Sequence, residues 1–211
     1  MSETIRVLDK GYVEFVDLLG GDEAAVRAAR ISYMSKSDPK KDDNLIDLLM
    51  RLGHESPFEH IVFTFHIKAP IFVARQWMRH RMASVNERSG RFTEFDEEFY
   101  LPEEKRVGIS VDLMRESMER SFENYKKLIS SGVKKEVARM ILPLSIYTEW
   151  YWTINVRSMM NFLNQRADSH AQYEIQQYAV KIADFFKMKC PITYDSFLRN
   201  AYKGDLLRER L

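Results

Sequence analysis

The chain has 211 residues, of which 45% are hydrophobic, 30% charged and 12% aromatic. This is the composition of a globular protein, and it excludes a wholly disordered or collagen-like chain. Thirty-two basic and 31 acidic residues leave a formal charge of +1. Because proteins that coat long nucleic acids usually carry a larger basic excess, we expect no nucleic-acid partner of that kind.

The first half of the chain predicts two strands and three helices. Residues 11–19 form a strand, and Asp22 is the expected cap of a helix over residues 22–29. A polar loop is expected over residues 35–43, before a leucine-rich helix that ends at Gly53. Residues 61–67 alternate between apolar and polar side chains, as in a strand with one buried face. Pro70 then suits the first turn of a helix that carries His80.

The second half predicts more helix than strand. Ser110 is a candidate cap for a long helix that ends near Gly132, and a short helix follows before Pro143. Residues 145–154 are rich in aromatic and β-branched side chains and predict a strand. Helices are expected from near residue 157, from after Ser169 to a point before Pro191, and over 194–202. The predicted fold is α+β, a single domain over residues 1–211 with a small, mostly antiparallel sheet flanked by several helices.

Several common site motifs are absent. The eight glycines form no Gly-x-Gly-x-x-Gly sequence and no P-loop, so side chains would have to hold any nucleotide phosphates. In residues 54–60 two histidines lie six positions apart around Pro57, which predicts a polar turn that shapes a pocket and no metal site.

The single cysteine, Cys190, excludes an internal disulfide. It stands at a predicted helix C-terminus, where a thiolate is disfavoured, so we expect a buried apolar residue and not a nucleophile. The sequence shows no signal peptide, and no apolar run approaches the ~20 residues of a membrane helix. We therefore expect a cytoplasmic protein without a membrane partner.

The most informative stretch is the arginine segment, residues 75–91. The segment has a charge of +4 in a nearly neutral chain, and it contains no lysine. Its acid is Glu87, and its five bases are Arg75, Arg79, Arg81, Arg88 and Arg91. A guanidinium binds phosphate or carboxylate through paired hydrogen bonds and stacks on rings. The segment therefore favours the recognition of a shaped anionic ligand, in a stretch that we expect to be irregular.

A structural alternative exists for these charges. Residues 94–104 hold six acidic side chains, and the two blocks could pair with each other across a hairpin or a subunit interface. Further along, Arg157, Asn161 and Asn164 are spaced to share one helix face, which suits either a binding site or an ordinary surface. Charge patterning alone leaves both interpretations open.

Residues 79–91 match the pattern Arg-His-Arg-x-x-Ser-x-Asn-Glu-x-Ser-x-Arg at all eight fixed positions. In this respect the chain resembles the flavin-dependent thymidylate synthases. Residues 54–60, 142–144, 155–157 and 164–172 also resemble this family, and the similarity extends from about residue 8 to 205. The sequence departs from the family at Ser56, where threonine is frequent, but it keeps the hydroxyl group.

The resemblance implies a homotetramer with FAD at the subunit interfaces. It implies that dUMP is reductively methylated to dTMP, with 5,10-methylenetetrahydrofolate as carbon donor and NADPH as the reductant of the flavin. By similarity, the flavin contacts are Ser56, Arg79, His80, Arg81, Glu87, Asn155, Arg157 and Asn161. The dUMP contacts are Gln76, Arg79, Glu87, Arg88, Ser89, Gly90, Arg91, Arg139 and Arg166, and Arg166 matches the catalytic arginine that favours ionisation of the pyrimidine.

Two other functions are compatible with the same residues. Arginines with Trp77 and Tyr100 could bind single-stranded RNA or DNA by phosphate contacts and base stacking, although the neutral charge counts against this. A non-catalytic flavin or nucleotide sensor could share the fold. A flavin absorbance band would reject the first alternative, and NADPH consumption that depends on dUMP or folate would reject the second.

Overall fold

The computed structural model describes residues 3–32 and 39–208. Within them, five strands form one sheet in the order β1-β2-β3-β5-β4, and every pairing is antiparallel. The strands are β1 (Glu3–Val7), β2 (Gly11–Leu19), β3 (Val62–Pro70), β4 (Ser84–Glu87) and β5 (Tyr147–Asn155). The predicted α+β class with an antiparallel sheet is confirmed.

The helices of the described residues are α1 (Asp22–Ile31), α2 (Pro39–Arg51), α3 (Ile71–Trp77), α4 (Glu104–Val107), α5 (Asp112–Ser130), α6 (Lys135–Ala138), α7 (Val156–Arg166), α8 (Tyr173–Lys189) and α9 (Pro191–Asn200). Two short 3-10 helices cover Ser56–His60 and Arg139–Ile141. In this part of the chain, none of the helices combines the length and the apolar character that crossing a membrane requires.

The alternation predicted for β3 positions the main core. Ile61, Phe63, Phe65 and Ile67 are fully buried on one face, where aromatic side chains of β5 and α8 pack against them. A second, smaller apolar cluster lies around α5 and includes Phe122. Because burial contributes about 1.5–3 kcal/mol of transfer free energy per large side chain, these clusters fix the sheet against its helices.

Asp22 does not cap its own helix. It lies in the first turn of α1, and its carboxylate instead accepts hydrogen bonds from the backbone N–H groups of Ile192 (3.1 Å) and Thr193 (2.9 Å). These groups open α9 and have no partner inside that helix, so Asp22 satisfies them from 170 residues away. The expected local cap was wrong because spacing along the sequence does not reveal such a distant acceptor.

Three expected boundaries also differ. Of the loop expected over residues 35–43, residues 35–38 lie outside the described residues, while residues 39–43 are helical because Pro39 occupies the first turn of α2. The helix after Pro70 ends at Trp77, so His80 lies beyond it. Within the arginine segment, residues 84–87 form the edge strand β4 and are not irregular.

The sequence patterns did not predict the two edge strands, β1 and β4. All four residues of β4 are exposed, and β1 has one buried residue, so neither carries the alternation that marks a half-buried strand. The expected C-termini of α2 and α5 are confirmed at Gly53 and Gly132, whereas the N-cap position of α5 is Val111 and Ser110 lies one residue before it. Gly53 follows α2 with φ +69°, and the Ser110 hydroxyl accepts from the Asp112 N–H at 3.2 Å where α5 begins.

Candidate active site

A pocket of about 930 Å³ opens between the end of α2, the connection from α3 to β4, α7 and the end of α9. Its exposed apolar side chain is Met82, while Phe58, Ile154 and Phe197 lie beneath the lining and are buried. Its charged lining consists of five cations and one carboxylate: Arg51, Arg79, Arg81, Arg157, Lys203 and Glu55. The pocket therefore combines a hydrophobic surface with a strong excess of anion-binding groups.

Five of the residues assigned to the flavin by resemblance line this pocket. Arg79, His80 and Arg81 come from the connection between α3 and β4, and Arg157 and Asn161 lie one turn apart on α7. Arg157 donates from Nε to Glu55 at 2.8 Å, and this contact raises the pKa of the guanidinium. The predicted common face of α7 is confirmed, since Asn164 lines the pocket as well.

Three other residues assigned to the flavin do not line the pocket. Ser56 is exposed and begins a 3-10 helix next to Glu55, which does line it. Asn155 uses its side chain as the cap of α7, accepting from the Ser158 N–H at 2.9 Å. Glu87 accepts a hydrogen bond from the Thr148 hydroxyl at 2.8 Å on β5.

Arg166 is fixed beside the pocket by two acceptors. Its Nε donates to Nε2 of His80 at 3.0 Å, and its Nη2 donates to the backbone oxygen of Gln76 at 3.3 Å. Burial, and then the charge of Arg166, lower the pKa of His80 to about 4. His80 is therefore neutral at pH 7 and accepts at Nε2. Burial also lowers the pKa of Arg166, but a guanidinium stays charged at neutral pH.

The second half of the arginine segment forms a tight loop after β4. Gly90 is buried, and a Cβ at this position would overlap the Phe95 ring and lie 3.2 Å from Cδ of Arg139. The loop therefore packs against Arg139. Ser89 stays inside the loop, where its hydroxyl accepts from the Arg91 N–H at 3.3 Å.

Among the ion pairs of the described residues, one arginine of the arginine segment pairs with the acidic residues 94–104, as the structural alternative predicts. Arg88 contacts Asp96 at 2.8 Å, whereas Arg91 pairs with Glu136 of α6 at 2.9 Å, outside the acidic block. Three block acids instead contact lysines, in the pairs Glu94–Lys135, Glu97–Lys126 and Glu98–Lys68. Among the ion pairs of residues 3–32 and 39–208, none involves Arg79 or Arg81.

The residues assigned to dUMP by resemblance fall into two groups. Gln76, Arg79 and Arg166 lie in or beside the pocket, while residues 88–91 and Arg139 form the loop cluster, which Glu87 precedes at the end of β4. Between the two groups, the described residues provide no hydrogen bond or ion pair. β4 lies between Arg81 and Arg88, and the four residues of this strand span roughly 13 Å.

Metal and thiol chemistry find little support in this part of the chain. The residues that the structure describes contain no group of three His, Cys, Asp or Glu side chains that could hold a metal ion. Pro57 lies inside a 3-10 helix, so His54 and His60 do not share an α-helical face. Cys190 is fully buried, and burial, followed by the charges of Asp22 and Glu23, raises the pKa of its thiol to about 12.

A concave pocket with amide side chains and with two arginines, Arg79 and Arg81, that have no ion-pair partner among the described residues suits phosphorylated ligands. The family model described as "Thymidylate synthase complementing protein" matches residues 14–192. The sequence is 58% identical over 213 residues to a flavin-dependent thymidylate synthase of Thermotoga neapolitana, covering 97% of this chain and 99% of that one. A protein of the same name from Thermosipho africanus is 56% identical, covering 96% and 97%.

Solved structures agree with these relatives. A crystal structure of the UMP/dUMP methylase PolB from Streptomyces cacaoi, bound with 5-Br dUMP, superposes with a TM-score of 0.87 and 33% identity. The match covers 95% of this chain and 100% of that one. The chain belongs to the flavin-dependent thymidylate synthase family, which confirms the predicted resemblance and the predicted class of enzyme.

Sequence reasoning missed several residues of the site. Arg51 and Lys203 reach the pocket from α2 and from the segment after α9, and no local pattern marks them. Asn164 accepts from the Lys203 N–H at 2.7 Å and thereby fixes that segment. Gln172 lies in a family-like stretch, and its contact with Gln76 emerges only from the structure.

Proposed function

We propose that the chain catalyses the reductive methylation of dUMP to dTMP, with FAD as the flavin, NADPH as its reductant and 5,10-methylenetetrahydrofolate as carbon donor. One observation carries the proposal. Arginines from residues 79–81 and the polar face of α7 converge on one pocket, directly beside an Arg166 that His80 and Gln76 hold in place.

The residues of the pocket suit a flavin dinucleotide. Arg79, Arg81 and Arg157 provide forked donors for a diphosphate, which a chain without a glycine-rich phosphate loop requires. Met82 lines the pocket with 71% of its surface exposed and provides apolar surface for a flat ring system. Bound and reduced flavin would supply the hydride for the methylation. The full proposed set of flavin contacts is Ser56, Arg79, His80, Arg81, Glu87, Asn155, Arg157 and Asn161.

The loop cluster suits the phosphate of dUMP. Arg88, Ser89, Gly90 and Arg91, with Arg139, offer forked donors, a hydroxyl group and backbone N–H groups in a small space. Of the present partners of the two arginines, Asp96 is largely exposed and Glu136 is 39% exposed. Exposed ion pairs contribute only about 0–1 kcal/mol, so a phosphate can replace the carboxylates at little cost.

Arg166 is the proposed catalytic residue. C5 of uracil becomes nucleophilic only when negative charge develops on the pyrimidine ring, and an adjacent guanidinium stabilises that charge. One preorganised contact of this kind contributes about 3 kcal/mol in other enzymes. Because the thiol of Cys190 is buried and its pKa is raised, we propose that no cysteine acts as a nucleophile.

We propose a homotetramer whose sites lie at subunit interfaces. Among the described residues of one chain, no hydrogen bond or ion pair joins the pocket residues assigned to dUMP to the loop cluster, so we infer that a second copy completes the substrate site. Large apolar side chains beside the arginines support this, since Met82, Phe92, Met140 and Leu144 are each more than 60% exposed. A single domain and a cytoplasmic location remain predictions.

The test is a dTMP assay with purified protein in which FAD, NADPH, dUMP and methylenetetrahydrofolate are omitted one at a time. We expect flavin-stripped protein to form product only when all four are present, the FAD-loaded protein to be yellow, and the sedimentation coefficient to be that of a tetramer. NADPH oxidation that ignores dUMP and folate would indicate a sensor, and tight binding of single-stranded nucleic acid without flavin would indicate the nucleic-acid alternative. Either result would overturn the proposal.

A further inference from the structure

A chain of hydrogen bonds leads from Gln76 to a buried carboxylate that the proposed reaction does not use. Nε2 of Gln76 donates to Oε1 of Gln172 at 2.5 Å, and Nε2 of Gln172 donates to Oε2 of Glu174 at 2.9 Å. Gln76 is also held through its backbone oxygen, which accepts from Arg166. This series of hydrogen bonds therefore ends at Gln76, which is in direct contact with Arg166, the proposed catalytic arginine.

Glu174 has the properties of a fixed acceptor. It lies in the first turn of α8 with 2% of its surface exposed, and its Oε1 accepts from the Tyr100 hydroxyl at 3.1 Å and from Nη2 of Arg106. Burying a carboxylate is costly unless a cation and hydrogen bonds compensate it, and here Arg106 and Tyr100 do so. A carboxylate paired in this way can accept hydrogen bonds but cannot donate them.

This restriction sets the orientation of both amides. Because Glu174 only accepts, Gln172 must turn its NH₂ group toward it and its oxygen toward Gln76. Gln76 must in turn direct its NH₂ group at Gln172, which leaves Oε1 of Gln76 without a hydrogen-bond partner among the described residues. The order of donors and acceptors follows from the buried charge and does not depend on how each amide is drawn.

We propose that Glu174 is a positioning residue that acts through Gln172 to present Oε1 of Gln76 as an acceptor for an N–H or O–H donor of the nucleotide. The inference rests on the proposed function, which places Gln76 among the dUMP contacts. Two groups of dUMP have this chemistry, namely the N3–H of uracil and the 3′-hydroxyl of deoxyribose.

The substitution Glu174→Gln would reverse the donor–acceptor order of these hydrogen bonds without changing the size of the side chain at position 174. Facing Arg106 and Tyr100, the new amide directs its oxygen at these donors and its NH₂ group at Gln172. Gln172 then turns its own NH₂ group toward Gln76, and Gln76 presents NH₂ to the nucleotide. A donor facing a donor costs about a hydrogen bond plus desolvation, so we expect the Kd for dUMP to rise about tenfold to hundredfold.

The decisive experiment is a double-mutant cycle on the FAD-loaded protein, with the Kd for dUMP measured by calorimetry for wild type, E174Q, Q76E and the double variant. In Q76E alone, the introduced carboxylate would face the oxygen of Gln172, whereas in the double variant it would face the NH₂ group. We therefore expect the double variant to bind dUMP about tenfold more tightly than the product of the single effects predicts. A Kd of the double variant within twofold of the value that the two single effects predict together would overturn the inference.

Two further variants separate positioning from structural support. Tyr100→Phe removes a donor from the same carboxylate but leaves the contact to Gln172, so we expect a lower Tm with a Kd for dUMP within twofold of wild type. Gln172 is exposed and Gln172→Met should fold normally, yet it breaks the chain and should weaken dUMP binding. An unchanged Kd in Q172M, or a Y100F effect equal to that of E174Q, would overturn the proposal.

A nucleotide analogue identifies the donor. If E174Q weakens dUMP but not 2′,3′-dideoxy-UMP, the 3′-hydroxyl is the group that Gln76 accepts from, whereas equal sensitivity assigns the N3–H. The inference and the proposed function fail differently. A wild-type protein that forms no dTMP rejects the function, while an active wild type with an additive cycle rejects only the role of Glu174.

Discussion

The two halves of the arginine segment use the same residue type in opposite ways. Before β4, Arg79 and Arg81 line the pocket, and none of the ion pairs of the described residues includes them. After β4, Arg88 and Arg91 are already engaged by Asp96 and Glu136 in a loop packed on Arg139. The first half is open to a large anionic ligand, whereas the second is held in shape by partners that a phosphate can displace.

Electrostatics explains why one motif can contain both arrangements. Exposed guanidinium–carboxylate pairs contribute little to stability, so they can order a loop without opposing ligand binding. Unpaired arginines keep a positive potential in the pocket, which favours the approach of phosphorylated ligands. The comparison therefore predicts that Arg81 serves mainly the flavin and Arg91 mainly the nucleotide, while Arg79 and Glu87 belong to both proposed contact sets.

The largest expected effect is that of Arg166→Ala, at the residue whose guanidinium contacts His80 and Gln76 beside the pocket. Losing the guanidinium held by His80 and Gln76 should lower kcat for dTMP formation by roughly two orders of magnitude or more, while the flavin absorbance remains. Arg166→Lys keeps a charge but not the fork, so it should recover only part of the loss. Wild-type turnover in the alanine variant would remove Arg166 from the mechanism.

Gly90→Ala should disturb the second half alone. Its Cβ would overlap the Phe95 ring and press on Arg139, an overpacking that costs about 1–3 kcal/mol of stability. We expect the KM for dUMP to rise about tenfold and FAD binding to stay unchanged. As a matched control, a Cβ at Gly21 would meet only the flexible carboxylate of Glu23, so Gly21→Ala should leave the KM unchanged.

A smaller effect concerns acid stability on the pocket side. The pKa of His80, lowered to about 4 by burial and Arg166, lies below the ordinary value of 6.5. Between these values the unfolded chain binds a proton that the folded chain does not, so the free energy of unfolding falls as the pH drops from 6.5 to 4.

His80→Gln removes this titration and keeps an acceptor for Arg166. We expect denaturant unfolding of the variant to lose about 1–2 kcal/mol less than wild type over that pH range. Parallel pH curves for wild type and H80Q would show that His80 is not neutral in the fold.

The smallest expected effect on activity is that of Cys190→Ser. This variant tests whether the thiol takes part in the reaction beside the two halves of the arginine segment. The hydroxyl group enters an apolar core and should cost about 1–3 kcal/mol of stability, while kcat stays within twofold of wild type. A folded, flavin-loaded variant without turnover would make the thiol a participant in the reaction.

Sequence patterns predicted the fold where one face of an element is buried. The alternation of residues 61–67 and the aromatic run before Ile154 defined the two central strands, because burial imposes a period on the side chains. Edge strands β1 and β4 carry no such period and were missed. Asp22 caps α9 and not its own helix, an arrangement that only the packed structure reveals.

The site was predictable to a similar extent. Local spacing correctly placed Arg157, Asn161 and Asn164 on one face, and the motif of residues 79–91 identified the family. The contribution of Lys203 and the link from Gln76 through Gln172 to Glu174 join residues distant in sequence. Such contacts depend on how the elements pack, so no pattern within a single segment could indicate them.

The most direct test of the division between the two halves compares Arg81→Ala with Arg91→Ala, two exposed arginines of one motif. Equilibrium binding of FAD and of dUMP would be measured for both variants and for wild type. We expect R81A to weaken FAD binding at least tenfold with a dUMP affinity within twofold of wild type, and R91A to do the reverse. Equal losses of both ligands in both variants would contradict the assignment of the pocket to the flavin and of the loop to the nucleotide.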